Sequence, residues 1–568
     1  MIVIPPELFN ETERLASAWE SEDKILRLWS GDASIWSGSA EGQQLGWLRI
    51  MEKQRQCLDS LLALKRDTEN NRFEHAVLLG MGGSSLCPEV LRQTFGRKSL
   101  APDLRILDST DPAQIGATDK AIDYQRTLFI VSSKSGTTLE SIMLSRYFFD
   151  RVSTEVGPNQ GDRFVAVTDP GSPLDEFAVT RKFRYVFHGH PNIGGRFSAL
   201  SNFGLVPAAV MGLNVSRLLD RAEVMRARCG ATKPLRENPA AMLGLMLGAA
   251  AQAGRDKITF ITSPSIRTFG AWLEQLLAES TGKKGVGFIP VNGEIVGAPE
   301  VYGEDRIFVY LRDERGRKES QDVAVKRLEE AGLPVVRLGL RDLYDLGGEF
   351  FRWEFATAVI GAILRINPFN QPDVEESKRR TQRLTEAYEH GGEISWDEPV
   401  ACEGKISVYG GTDSCVSPEK DGSGFSVAEV IAAHLRRVGP GDYVAFMAYL
   451  EMSPVYLEML QRLRTLVRGR LGVATCADFG PRFLHSTGQV HKGGPNTGVF
   501  FQITCSDQFD IPVPGKQYSF GIVKMVQARG DLETLIKRGR RVLRVHLTGS
   551  VLEGLQQFAG LVDDALSK

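Results

Sequence analysis

The sequence predicts an α/β fold in which parallel sheets are covered by helices, in two successive units with an additional α/β region at the C-terminal end. Two observations predict this fold. Short apolar runs ending in glycine or serine alternate with helical stretches, a pattern typical of parallel strands buried on both faces. The alternation comes in two series, and a strand–helix–strand pattern then follows in the last third of the chain.

Taken in order, residues 1–68 are predicted to form an N-terminal helical segment. The first α/β unit covers 69–230, and its predicted strands are His75–Leu79, Leu104–Leu107, Leu128–Val131, Phe164–Val167 and Tyr185–His188. A long helical region at 200–254 leads into the second unit, 231–390. Its predicted strands are Ile258–Thr262, Val286–Val291, Ile307–Tyr310 and Val335–Leu338.

The second unit is predicted to close with a helix at Phe350–Ile366. A polar connection at 390–404 then leads into the C-terminal region, 391–568. The clearest pattern in that region is a strand at Tyr443–Leu450, a helix at Pro454–Arg468 and a strand at Gly472–Cys476.

Composition excludes several classes of function. The chain has 568 residues, 42% of them hydrophobic, and a formal net charge of −2, so a general nucleic-acid or membrane-surface role is not expected. The basic run at 537–544 is interpreted as a solvated helix face, and the apolar stretch at 240–253 is too short to span a bilayer. With no signal segment at the N-terminus, we expect a cytoplasmic protein.

Seven cysteines are scattered along the chain without CxxC spacing, which indicates neither a zinc site nor a disulfide framework. They are Cys57, Cys87, Cys229, Cys402, Cys415, Cys476 and Cys505. We expect no metal and no other cofactor.

Two motifs at strand ends favour phosphate binding. Gly80–Ser85 (GMGGSS) allows a ligand to approach the backbone closely, although an ordinary strand-to-helix turn is about as good an interpretation. Ser132–Ser141 (SSKSGTTLES) has six hydroxyls in ten residues, more than the one or two that a helix N-cap needs. Hydroxyls and amides at a helix N-terminus form a good monophosphate site.

Three further motifs carry candidate catalytic groups. Arg196 lies in a glycine turn (GGRFS), Glu279 ends a helical run (AESTGK), and Lys378 lies inside a helix that follows the loop NPFNQPDVEESK. Taken singly, each residue is better interpreted as structural. An arginine on a glycine turn can reach an anion or a developing enolate, and a glutamate at a helix end in a partly buried cleft suits a general base.

In this order, the five motifs resemble those of the phosphoglucose isomerase family, enzymes with two sugar-isomerase domains. The resemblance covers about residues 73–378. The stretch from His485, HSTGQVHKGGPNTGVFFQIT, is most similar to the isomerase portion of bifunctional transaldolase–phosphoglucose isomerase fusions, which suggests an origin in such a fusion.

The resemblance implies a role for each matching residue. Arg196 would stabilise the cis-enediolate, Glu279 would move the proton between C2 and C1, and Lys378 would assist ring opening with a histidine. The implied substrate-binding residues are Gly83, Ser84, Ser133, Lys134, Ser135, Thr138, Ser141 and Gln371.

The sequence departs from the family pattern in the loop before the lysine and in the position of the histidine. Asp373 replaces a glycine before the lysine, and Asn370 stands where aspartate is common. The family's ring-opening histidine usually lies between the glutamate and the lysine, but no histidine occurs between Glu279 and Lys378. His485 is the best match elsewhere and His491 the second, and either would reach the site from the same chain or from a partner subunit.

The predicted function is isomerisation of glucose 6-phosphate to fructose 6-phosphate by ring opening and a cis-enediol proton transfer, in a homodimer. An enzyme that also epimerises mannose 6-phosphate stays open as an alternative. A non-catalytic sugar-phosphate sensor would lack Glu279, Arg196 and Lys378 and would normally carry a DNA-binding segment. A fragment of a glucosamine-phosphate synthase would need a glutaminase cysteine at its start.

Overall fold

The computed structural model describes residues 2–316, 320–391, 398–410 and 425–567. The described residues form three sheets, of five, five and six strands, with helices packed on their faces. The α/β class predicted from the sequence is confirmed. Within the described ranges, no helix is long and apolar enough to cross a membrane.

The N-terminal segment is mainly helical, but its first residues form a strand that belongs to the second sheet. Its elements are β1 (Ile2–Val3), α1 (Pro6–Ser21), α2 (Lys24–Ser30), α3 (Ile50–Gln56) and α4 (Leu58–Asn70). The buried Trp47 packs on Phe197 and Phe355, with ring centroids 5.5 and 6.2 Å away. Phe197 in turn packs against Arg196, whose guanidinium carbon lies 5.7 Å from the ring centroid.

The first sheet is entirely parallel, with strand order β3-β2-β4-β5-β6. Its elements are β2 (His75–Gly80), α5 (Leu86–Phe95), β3 (Asp103–Leu107), α6 (Pro112–Lys120), β4 (Thr127–Ser132), α7 (Leu139–Val156), β5 (Phe164–Thr168), α8 (Pro173–Thr180) and β6 (Tyr185–His188). All six residues of β4 are buried, as expected for a central strand covered on both faces.

The helical bridge consists of α9 (Asn202–Val210), α10 (Val215–Arg228) and α11 (Pro239–Gln252). The second sheet follows, with order β1-β10-β9-β7-β8 and β1 antiparallel at its edge. Its elements are β7 (Lys257–Thr262), α12 (Phe269–Thr281), β8 (Ile289–Val291), β9 (Arg306–Asp313), α13 (Ser320–Glu330), β10 (Val335–Leu340), α14 (Leu346–Ile363) and α15 (Pro372–Glu389).

The C-terminal region forms a third sheet, with order β11-β12-β16-β15-β13-β14. Its elements are β11 (Ala401–Glu403), β12 (Ile406–Gly410), α16 (Val427–Leu435), β13 (Tyr443–Tyr449), α17 (Pro454–Leu471), β14 (Ala474–Phe479), α18 (Gly488–Gly493), β15 (Gly498–Cys505), α19 (Phe520–Lys537), β16 (Arg541–Leu547) and α20 (Val551–Ser567). From β12 to β14 its strand order repeats that of the second sheet, including the antiparallel strand beside the fourth parallel one.

Some predicted elements differ from the observed ones. The strand predicted at 286–291 is shorter, because only Ile289–Val291 pairs with β7. Residues 401–403 of the predicted connection form β11, while 392–397 and Cys415 lie outside the described residues. The six other cysteines are free thiols.

The interpretation of 537–544 as a solvated helix face is wrong. α19 ends at Lys537, which pairs with Glu376 at 2.7 Å, and Arg538 reaches Asp373 at 2.7 Å. Arg541 begins β16 and is paired as well. The charges of Lys537 and Arg538 join the C-terminal region to α15, because each one lies opposite a carboxylate of that helix.

Candidate active site

The first sheet is arranged to bind a ligand between β2 and β4. Counted along the chain, its strands have the order 2-1-3-4-5, so the chain reverses direction across the sheet between these two strands. Gly80 pairs with Ser132 at their carboxyl ends. Open α/β sheets bind ligands at such a switch point, and both predicted phosphate motifs begin there.

The loop after β2 approaches the arginine turn closely. Gly82 has φ +55°, and a Cβ atom on Gly83 would lie 2.1 Å from the carbonyl oxygen of Gly195. Only glycine permits this approach. Ser84 is buried beside it, and the hydroxyl of Ser85 donates to Asp108 at 3.0 Å.

The hydroxyls of the loop after β4 face two different cavities. Ser135 and Thr138, with Thr137, line a cavity of about 690 Å³ that is also lined by Lys378 and His485. Ser133 and Ser141 line a neighbouring cavity of about 150 Å³.

Other side chains of this loop contact protein groups beside the cavities. Ser133 donates to Thr138 at 3.1 Å, and Lys134 forms an ion pair with Asp169. The buried hydroxyl of Ser141 has no hydrogen-bond partner among the described residues. The large cavity therefore presents Ser135, Thr137 and Thr138 at the start of the long helix α7, whose dipole favours an anion.

Arg196 joins three segments of the site. Its side chain is 2% exposed, and its Nη1 lies 3.3 Å from Oε1 of Glu279. It also donates to Ser280 at 2.7 Å, to Gln371 at 2.9 Å and to the carbonyl oxygen of Pro368 at 2.6 Å. Burial lowers the pKa of Arg196, and the charge of Glu279 opposes this.

Glu279 lies in the last turn of α12 and is connected to the C-terminal region through Gln275. The amide of Gln275 donates to Glu279 at 3.1 Å and to the backbone carbonyl of His485 at 2.7 Å. The carboxylate is therefore held between an arginine and an amide, and 13% of its side chain remains exposed.

His485 reaches the site from the same chain. Its Nε2 lies 2.8 Å from Oε1 of Glu140, a residue in the first turn of α7, and its side chain is 11% exposed. Burial by itself raises the pKa of Glu140, but the charge and hydrogen bond of His485, with a smaller contribution from Lys378, bring it down to about 2. Glu140 is therefore a carboxylate at neutral pH.

His491, the second candidate, lies elsewhere. It is 3% exposed, and its Nδ1 is 2.9 Å from the hydroxyl of Tyr443. Burial lowers the pKa of His491 to about 3, with the charges of Lys492 and Arg540 acting in the same direction. His485 lines the large cavity, whereas His491 is not among the residues that line it.

The side chains of Arg482 and Gln489 fix the segment that carries His485. Arg482, at the start of the same 3₁₀ turn, lies 3.2 Å from Asp108 of the first unit. The amide of Gln489 donates to the carbonyl oxygen of Gly282 at 2.8 Å, and its oxygen accepts from the backbone nitrogen of Asp373 at 3.0 Å. Asp373, which stands where the resembled pattern has a glycine, thus contacts the segment that carries His485.

The sequence predictions missed three residues of the site. Glu140 belongs to a motif already noted for phosphate binding, but its partner His485 is 345 positions away in the chain. Gln275 lies one helical turn before Glu279, and that spacing was the available signal. Gln527, whose amide donates to Glu140 at 2.6 Å, had no signal in the sequence.

Sequence comparison finds similarity to phosphoglucose isomerases. The family model described as phosphoglucose isomerase matches residues 55–305, a range that contains Arg196 and Glu279 but not Lys378 or His485. A probable glucose-6-phosphate isomerase of Methanococcus maripaludis is 27% identical over 377 residues, which cover 59% of this chain and 83% of that protein. A glucose-6-phosphate isomerase of Rubrobacter xylanophilus is 28% identical over 388 residues, covering 59% of this chain and 88% of that protein.

Solved structures agree on the fold. A hypothetical protein from Thermus thermophilus superposes with a TM-score of 0.58 at 25% identity, covering 67% of this chain and 99% of that one. A glucose-6-phosphate isomerase from Chlamydia trachomatis superposes with a TM-score of 0.51 at 23% identity, covering 59% of this chain and 74% of that one.

Proposed function

We propose that the chain, which resembles phosphoglucose isomerases over residues 55–305, interconverts glucose 6-phosphate and fructose 6-phosphate by ring opening followed by proton transfer through a cis-enediol. One observation carries the proposal. The Glu279–Arg196 pair and the His485–Glu140 pair are linked through Gln275 within a single chain, and the second pair lines the cavity of the hydroxyl-rich loop.

The phosphate is assigned to Ser135, Thr137 and Thr138 at the start of α7. Three hydroxyls and the positive end of an 18-residue helix suit a dianion. Holding the substrate at this end, far from the reacting carbons, orients C1 and C2 within the site.

Ring opening moves the proton of the C1 hydroxyl to the ring oxygen. His485 is assigned this exchange, because histidine gains and loses a proton near neutral pH. The carboxylate of Glu140 compensates the charge on His485 when it is protonated, and Lys378 assists at the same cavity.

Isomerisation then moves a proton from C2 to C1 of the open chain. Glu279 takes the proton from C2 and returns it to C1, and Arg196 stabilises the negative charge that develops on the enediolate oxygen. The distance of 3.3 Å between Arg196 and Glu279 supports this pairing of roles.

The homodimer and the cytoplasmic location stay predictions. For the homodimer, the relevant observation is that His485 and Glu140 belong to one chain, so no partner subunit is needed to bring them together. A single subunit is therefore expected to be active, whichever oligomer forms, and activity measured across protein dilution with sedimentation in parallel tests this.

The proposal is tested by separating ring opening from proton transfer. Anomerisation of glucose 6-phosphate, followed by exchange NMR, requires ring opening alone, whereas a coupled assay for fructose 6-phosphate requires both steps. His485→Ala is expected to abolish both activities and Glu279→Gln only the second, while His491→Ala, the control, retains both. A wild-type protein that does not isomerise glucose 6-phosphate would refute the proposed function.

A further inference from the structure

The side chain of Gln527 connects the C-terminal region to the carboxylate that holds His485. Gln527 lies on α19 and is 3% exposed. Its Nε2 donates to Oε1 of Glu140 at 2.6 Å, and its Oε1 accepts from the hydroxyl of Thr110 at 2.8 Å. The C-terminal region thus provides both His485 and a second contact to Glu140.

The arrangement of donors determines which way the amide of Gln527 faces. An ionised carboxylate only accepts hydrogen bonds, so the NH₂ end of the amide is directed at Glu140, and the hydroxyl of Thr110 donates to the oxygen end. An amide with the opposite orientation would place its oxygen against a carboxylate oxygen, and two acceptors repel each other. The carboxylate of Glu140 therefore selects the orientation in which Gln527 donates, and the hydrogen bond from Thr110 holds the other end of the amide in place.

The same carboxylate oxygen determines which nitrogen of His485 carries a proton. Oε1 of Glu140 accepts from Gln527 at 2.6 Å and faces Nε2 of His485 at 2.8 Å. An ionised carboxylate only accepts hydrogen bonds, so Nε2 must donate. In the neutral imidazole, Nδ1 is then the nitrogen with a free lone pair.

We propose that Gln527 is a positioning residue for ring opening, which acts through Glu140 to fix the ring plane and the Nε2–H tautomer of His485, leaving Nδ1 to exchange the proton with the substrate. The inference rests on the proposed function. It goes further by assigning a role to a residue of the C-terminal region that lies behind the reacting groups.

A competing interpretation is that Gln527 only attaches the C-terminal region to the first sheet. The chain offers a matched control for this, since Gln502 is a fully buried glutamine of β15 that donates to the backbone oxygen of Ala528 at 2.9 Å. Gln502→Met removes a buried amide next to the same helix without touching Glu140.

The experiment compares Gln527→Met, Gln502→Met and Thr110→Val in the full chain. ¹⁵N NMR of the imidazole nitrogens, assigned with His485→Ala, reports the tautomer in the absence of substrate. Wild type and Gln502→Met are expected to show the Nε2–H form, and Gln527→Met and Thr110→Val a mixture of tautomers. Catalysed anomerisation should fall about ten- to hundredfold in Gln527→Met, because a hydrogen bond to a charged group is lost.

Activity on a tetrose 4-phosphate, which has no free hydroxyl with which to close a ring, should stay close to wild type in all three variants. Two results would overturn the inference. The first is a His485 spectrum that is unchanged in both Gln527→Met and Thr110→Val. The second is a loss of anomerisation that is equal in Gln527→Met and Gln502→Met. Because the spectrum is read without substrate, it decides the positioning role even if the wild-type protein fails to isomerise glucose 6-phosphate. Thr110→Val retains Gln527 and decides the question if Gln527→Met does not fold.

Discussion

Replacing Glu140 by glutamine is expected to slow ring opening while leaving the fold intact. Glutamate and glutamine have nearly the same shape, and the cavity beside α7 would keep its form. The substitution removes the negative charge in contact with His485, whose Nε2 lies 2.8 Å away. An amide in this place can still accept one hydrogen bond, but it no longer compensates a protonated imidazole.

The structure sets the size of the effect. Burial raises the pKa of Glu140, yet His485 and, less strongly, Lys378 lower it from its ordinary 4.5 to about 2. That difference corresponds to roughly 3 kcal/mol in favour of the ionised carboxylate. In the variant a protonated His485 loses its charged hydrogen-bond partner, and catalysed anomerisation should fall by about ten- to a hundredfold.

The assay is the pH profile of anomerisation, read beside unfolding by urea at neutral and acid pH. The lowered pKa of Glu140 contributes stability that is present above pH 4.5 and is lost as the pH falls towards 2. Glu140→Gln should therefore be less stable than wild type at neutral pH, and the gap should narrow as the pH approaches the lowered pKa. Glu349→Gln, which affects a buried carboxylate 3.3 Å from Arg352, is a control for loss of a buried charge outside the cavity.

Two results would contradict this reasoning. The first is an anomerisation rate in Glu140→Gln that matches wild type at every pH. The second is a stability gap that stays constant from neutral to acid pH, which would mean that Glu140 is not ionised through its contact with His485.

Three further predictions concern the rest of the site. Glu279→Gln should lower isomerisation by about a hundredfold or more while anomerisation persists, because only the C2–C1 transfer loses its base; equal loss of both would contradict the assignment. The double variant Ser135→Ala/Thr138→Ala should bind 6-phosphogluconate more weakly than wild type in calorimetry. Ser141→Ala removes a hydroxyl of the neighbouring cavity and should leave this affinity unchanged. A loss of affinity in Ser141→Ala but not in the double variant would assign the phosphate to the neighbouring cavity. Asp373→Gly, which restores the family residue, should raise KM and lower kcat together because the contacts to Gln489 and Arg538 are lost; unchanged kinetics would show that these contacts do not hold the His485 segment.

Local patterns in the sequence were sufficient to predict most strands of the first two sheets. His75–Leu79 and Leu128–Val131 are largely apolar, because both faces of a central parallel strand are covered by helices. The hydroxyl-rich loop was predictable for a similar reason, since the end of a buried strand and the start of a helix are both visible along the chain. Edge elements such as β1, with only two residues, have no such pattern.

Contacts between distant segments were decided only by the tertiary structure. The sequence alone determined that Arg196, Glu279 and Lys378 occur in a familiar order and that a histidine was missing from its usual place. It did not determine that His485 meets Glu140, that Asp373 meets Gln489, or that Gln527 completes the pair. Each of these contacts joins the C-terminal region to one of the first two units. A hydrogen bond between separate units depends on how the sheets and helices pack, and not on local backbone preference. It therefore leaves no periodic pattern in the sequence of either segment.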